Sequence, residues 1–131
     1  MEKLNYNKTD LPHIDSSDFG LIRYDICKSL DSNKSENILI MNLKPQFTYD
    51  MWFILATALS HTHLKKLTQD IVFPLRKSGI FCSHVPNDLD YESGWVALDY
   101  GEIVVHIFTK EKRNYYDLES LWSNALIENY P

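Results

Sequence analysis

This sequence is poor in the features that define several large protein classes. It has two cysteines, Cys27 and Cys82, in 131 residues. They lie far apart, without paired metal-ligand spacing, which argues against a disulfide framework and makes both reduced, buried, small apolar side chains. Long apolar runs are missing too: stretches such as Met51 to Leu59 are far shorter than the ~20 residues that cross a bilayer, so no membrane span is expected. Residues Met1 to Tyr6 lack an apolar signal core, and Asp10, Asp15 and Asp18 are unlike an Arg-rich transit peptide. The cytoplasm is therefore the default location. Positive charge is in the minority, with 13 Lys and Arg against 18 Asp and Glu and a net charge of −5. That balance argues for little direct binding to nucleic acid, where basic groups displace phosphate counterions, but it suits a basic protein partner. Gly-rich phosphate loops and the sequence patterns of Ser-His-Asp or Cys-His nucleophiles are absent as well.

What is present is the material of one globular domain, with 44% hydrophobic and 24% charged residues in a chain long enough to bury a core without staples. Residues 1–16 are polar and read as a loose N-terminal segment, 17–123 as the folded domain and 124–131 as a C-terminal tail. Ser17 or Asp18 can cap a helix in which Phe19, Ile22, Ile26 and Leu30 form one apolar stripe, and the turn-rich Asp31 to Ser35 ends it. Ile38 to Met41 reads as a central strand covered on both faces. Pro45 and Gln46 interrupt, and Trp52 to Ala56 follows as a second buried strand. Ser60 can cap a helix carrying Leu64, Leu67, Ile71 and Leu75 up to Gly79, with a kink expected at Pro74. Ile80 to Cys82 is a candidate short strand and Pro86 to Asp90 an exposed acidic loop. Trp95 to Leu98 and Ile103 to Phe108 form antiparallel strands around Asp99 to Glu102, where Gly101 supplies a positive φ. Asn114 can cap the last helix, with Asp117 near its start. The expected fold class is α/β (α+β): a single domain with a mixed, mostly five-stranded sheet and helices packed on it.

Period-two alternation places Trp95, Ala97 and Asp99 on one face of their strand and Val96, Leu98 and Tyr100 on the other. Val96 and Leu98 belong to the core. An outward Trp beside a small residue and an acid makes a flat contact surface, and Trp is enriched where truncating one contact costs ~2 kcal/mol or more; the bland alternative is a Trp covered by a helix. His106 falls with Val104 and Phe108 and reads as a hydrogen-bonded structural residue near Tyr116 or Asp117 rather than a catalyst.

The segment from Gly94 to Trp122 closely resembles the Iojap family, the ribosomal silencing factors or RsfS. The matching residues include Trp95, Asp99, Tyr100, Gly101, Glu102, Val104, Val105, His106 and Phe108, then Tyr116, Asp117, Leu118, Glu119, Leu121 and Trp122. Weaker agreement extends the resemblance to about residues 19–122. Departures occur at Met51-Trp52-Phe53 and Ala58-Leu59-Ser60, with Asp50 one position early, and at Thr62, where many relatives have Arg. The resemblance implies a reduced nucleotidyltransferase-like domain without enzymatic activity, cofactor or metal. It further implies binding to the large ribosomal subunit through its protein uL-fourteen, with steric block of small-subunit joining and lowered translation. The contact region then falls on Trp95, Asp99, Tyr100, Gly101 and Glu102, while His106, Phe108, Tyr116, Asp117, Leu118 and Trp122 are structural. Organelle relatives instead assist large-subunit assembly, which is the first rival reading. Exposed aromatics also leave a homodimer open.

Two sharper chemical readings are weak on the sequence. His61, His63, Cys82 and His84 lack the wider, more Cys-rich spacing of a zinc site. Asp88 and Asp90 could hold magnesium as in a metal-dependent nucleotidyltransferase, but no Gly-Ser signal opens a helix at a suitable distance before them.

Overall fold

The structure, a computed structural model, describes residues 16–44 and 51–130, with side chains from Phe19 onward in the first helix. The expectations for residues 1–15, for Pro45 and Gln46, for Asp50 and for capping by Ser17 or Asp18 lie outside the described residues.

Helix α1 (Ser16–Ser32) opens the described chain and buries the predicted stripe of Phe19, Ile22, Ile26 and Leu30 together with Cys27. It ends in a Schellman-type closure: Ser35 N–H donates to Leu30 O at 3.0 Å while Lys34 takes φ +69°, a left-handed position usually given to Gly. Strands β1 (Glu36–Asn42) and β2 (Trp52–Ala58) then pair antiparallel, with a register shift between Glu36 and Leu39. Ser60 caps α2 (His61–Lys77), its Oγ accepting from His63 N–H at 3.0 Å. Gly79 terminates α2 with φ +83°, as Ile80 N–H reaches back to Leu75 O at 2.9 Å. Pro74 has no N–H to give the carbonyl of Asp70, four residues earlier. That carbonyl receives the Ser29 hydroxyl at 3.4 Å instead, tying α1 to α2.

Three expectations fail between residues 80 and 117. Ile80 to Cys82 form no strand; one backbone bond, Ser83 N–H to Asp99 O at 2.9 Å, fastens the following residue to the outer edge of the sheet. The acidic stretch is not a plain loop, because Asn87 starts a short helix α3 (Asp88–Ser93) through a reciprocal capping box with Asp90. Asn114 caps nothing: strand β4 (Ile103–Thr109) runs straight into α4 (Lys110–Tyr116), and Thr109 is the cap, its hydroxyl accepting from Lys112 N–H. Asp117, at φ +48°, joins α4 to α5 (Leu118–Leu121).

With β3 (Trp95–Asp99) and β5 (Leu126–Asn129), the sheet has five strands in the order β3-β4-β2-β1-β5. Strands β2 and β4 are parallel and all other neighbours antiparallel, so β2 rather than β1 is central. The fifth strand thus comes from residues assigned to the C-terminal tail, where β5 pairs with β1 along the edge. Helices α1 and α2 cover one face, over a core that includes Leu30, Ile54, Leu64, Leu98 and Ile107, each fully buried. Burying one such side chain contributes roughly 1.5–3 kcal/mol. The other face is covered in part by α4 and α5 over a smaller cluster of Met41, Leu43, Leu55, Phe108 and Leu118.

Candidate docking surface

The partly covered face is where the sequence motif gathers. Strand β3 alternates as predicted: Val96 and Leu98 are sealed in the first core, while Asp99 is exposed and Trp95 partly buried on the opposite face. Tyr100 follows the parity of Val96 and Leu98. It is 8% exposed inside the first core, so it does not share an accessible patch with Trp95 and Asp99. Burial, followed by the neighbouring Cys82, pushes its phenol well above the usual range. Grouping Tyr100 with the contact residues is corrected by that geometry.

The Trp95 indole does not project freely. It stacks on Phe108 at 5.2 Å between centroids, leans on Tyr116 at 4.6 Å, and its Nε1–H donates to His106 Nδ1 at 3.2 Å. His106 is therefore fixed by Trp95 rather than by Asp117, whose carboxylate accepts from the Ser120 hydroxyl at 2.7 Å. Accepting at Nδ1 places the proton of the neutral ring on Nε2. That nitrogen is buried without a hydrogen-bond partner, and the Phe53 ring stands against the imidazole at 4.5 Å in a T-shaped arrangement. Burial holds the His106 pKa down to about 4, against a smaller upward pull from Asp99. Trp122 completes the group against Phe53 at 5.8 Å, and Leu118 is buried below it.

The turn beside this cluster is built from its own residues. Asp99 Oδ1 accepts from Gly101 N–H at 2.9 Å, an Asx turn, and Tyr100 N–H closes on Ile103 O at 2.8 Å. Gly101 sits at φ +94° with open space where a Cβ would go. Backbone sign, not crowding, selects glycine there. Glu102 is partly exposed, and its carbonyl accepts from Trp52 N–H at 2.8 Å, linking the turn to β2. The result is a fixed platform with an aromatic shelf and carboxylates at its rim.

Most of the candidate metal residues are otherwise engaged. His63 accepts from Leu59 N–H through Nδ1 and donates from Nε2 to Asn33 O at 2.7 Å. Cys82 donates to His84 O, and its pKa is raised, chiefly by burial. Asp88 faces Lys65 at 3.8 Å. Asp90 serves the α3 cap and pairs with His84 at 3.1 Å, and these hydrogen bonds, the backbone one of Asn87 first, lower its pKa. Among the described residues no group of three or more His, Cys, Asp or Glu is arranged to hold a metal ion, and no helix is long and apolar enough to cross a membrane. A structural feature the sequence reading missed is Arg113, whose nearly buried guanidinium ties α4 to β1, β2 and α5.

Together these elements define a mixed α/β domain whose open sheet carries one sealed face and one aromatic, partly covered face. The family profile described as "Ribosomal silencing factor during starvation" matches residues 22–130, and the chain belongs to this RsfS family. The chain is 32% identical over 98 residues to an Iojap-related mitochondrial protein of Arabidopsis thaliana, covering 73% of this chain and 53% of that one, so it spans about half of that relative's length. It is 29% identical to the ribosomal silencing factor RsfS of Halalkalibacterium halodurans, covering 74% of this chain and 81% of the relative. In structure it is similar to a crystallised protein of Chromobacterium violaceum, with a TM-score of 0.69 at 26% identity over 79% of this chain and 85% of the other.

Proposed function

We propose that this chain binds the large ribosomal subunit through protein uL-fourteen, by the face centred on Trp95, and sterically prevents the small subunit from joining. Membership of the silencing-factor family supports the role. The observation that carries the choice of face is Trp95 itself, held by His106 and Phe108 beside the exposed carboxylate of Asp99. A fixed indole loses little freedom on binding. Because it lies along Phe108, the indole acts as a shelf on which a partner rests, not as a peg entering a pocket.

The chemistry asked of the protein is occupancy alone. Asp99 and Glu102 at the rim favour a basic partner and speed encounter, while the aromatic shelf supplies the contact energy. Tenfold exclusion of a competitor takes only ~1.4 kcal/mol of binding advantage. Sedimentation of purified large subunits with Trp95→Ala tests the face, with far-UV circular dichroism as the folding control. A loss of ~2 kcal/mol, about thirtyfold in affinity, is expected; wild-type co-sedimentation by a folded variant contradicts the assignment.

A further inference from the structure

Helices α4 and α5 cannot hold themselves in place. They have seven and four residues, too short for helices that persist without tertiary support. Helix α4 buries no residue and α5 buries one, Leu118. Yet this corner carries Tyr116, which leans on Trp95, and leads into Trp122, which packs on Phe53.

What fastens the corner is Arg113, whose side chain is 11% exposed. Its Nη1 donates to Asn37 O at 2.6 Å and to Thr57 Oγ1 at 2.9 Å, reaching β1 and β2 at once. Its Nε and Nη2 donate to Glu119 Oε2 at 3.3 and 3.0 Å, reaching across the α4–α5 junction. The backbone is bent at two non-glycine positions around this one side chain. Asn37 has φ +51° within the register shift of β1, and Asp117 has φ +48° between the helices. Bulges commonly re-aim a group out of the ladder, and the Asn37 carbonyl is the one given to Arg113. The planar fork serves acceptors in these two directions from separate nitrogens, a spread that the single nitrogen of an ammonium does not reproduce.

We propose that Arg113 is a positioning residue for the docking face: by clipping α4 and α5 to the ends of β1 and β2 it fixes Tyr116 against Trp95. This rests on the Trp95 face being the contact surface. Loss of the fork frees the corner, and the shelf is no longer presented in one arrangement, although the sheet and the first core persist.

The test uses Arg113→Met and the milder Glu119→Gln, with Trp95→Ala alongside. Large-subunit affinity is measured by sedimentation, folding by urea titration, and the three indole N–H signals by nuclear magnetic resonance. Arg113→Met is expected to weaken binding at least tenfold while folded, and to shift or broaden the Trp95 and Trp122 signals but not that of Trp52. Glu119→Gln, which keeps the donors to Asn37 and Thr57, is expected to weaken binding less, and it decides the matter should Arg113→Met not fold. Wild-type binding by the folded Arg113 or Glu119 variant, with binding lost in Trp95→Ala, overturns the positioning role alone. Wild-type binding by all three variants overturns the docking face as well. Equal disturbance of all three indoles reduces Arg113 to general stability and overturns the proposal.

Discussion

Lowering the pH should destabilise this fold through one residue, His106. In the folded chain its pKa is held near 4 against an ordinary 6.5, mainly by burial. Between those values the unfolded chain binds a proton that the folded chain does not, so stability falls as pH falls, by ~1.4 kcal/mol per unit. The loss begins near pH 6.5, levels off below pH 4 and totals about 3 kcal/mol, a large share of a typical domain's 5–15 kcal/mol. The upper part of that window lies above the carboxylate range, and comparison with His106→Leu separates this residue from the chain's four other histidines. Protonation also makes both ring nitrogens donors, so the bond from Trp95 Nε1–H to His106 Nδ1 is lost, and with it the anchor of the shelf. Urea unfolding at pH 7.5, 6.5, 5.5 and 4.5 measures the effect in the wild type and in His106→Leu. The variant should be less stable at pH 7.5, because the Trp95 N–H loses its acceptor at a cost of about 1–3 kcal/mol, and its pH slope should be smaller. A native-state His106 titrating near 6.5, or equal slopes in the two proteins, would refute the reasoning.

Lys34→Gly should raise stability by about 0.5–1 kcal/mol in urea unfolding, since Lys34 occupies a left-handed position at φ +69° closing α1. Gly101→Ala should cost about 1 kcal/mol from φ alone, because nothing lies within 4 Å of the added methyl. Gly94→Ala should cost about 2 kcal/mol or more in the same assay: φ is +83°, and the methyl meets Lys112 Cγ at 2.8 Å and the capping Thr109 Oγ1 at 3.0 Å. Asp99→Lys combined with Glu102→Lys should slow association with large subunits in stopped-flow measurements. The deficit relative to wild type should shrink as salt is raised.

Helices α1 and α2 and strands β1 to β4 were legible because their burial is patterned. Phe19, Ile22, Ile26 and Leu30 repeat at helical spacing, and Val96 and Leu98 alternate with Trp95 and Asp99, so the buried side of each element is written in the chain. Strand β5 was not legible, because all four of its residues are exposed and backbone pairing to β1 holds it. Ile80 to Cys82 misled for the converse reason: an apolar run here leads to a clasp on the sheet edge, not into a ladder. Asn114 is the stronger cap by preference, but β4 enters α4 without a break and leaves the capping position to Thr109. The box Asn87-Asp88-Leu89-Asp90 could have been read as a helix start. Of the proposed contact residues, what was legible is the parity that puts Trp95 and Asp99 on one face of β3 and Tyr100 on the other, and the positive φ of Gly101. Arg113 left no readable mark, since its partners Asn37 and Thr57 lie 76 and 56 residues away.

The face itself can be tested at Ala97, an exposed position between Trp95 and Asp99 on β3. Ala97→Cys, carrying a short photoactivated cross-linker, should attach to uL-fourteen when irradiated with purified large subunits, and excess unlabelled protein should suppress the product. Attachment only to other ribosomal components, or efficient subunit binding with no cross-link from this position, would contradict the account.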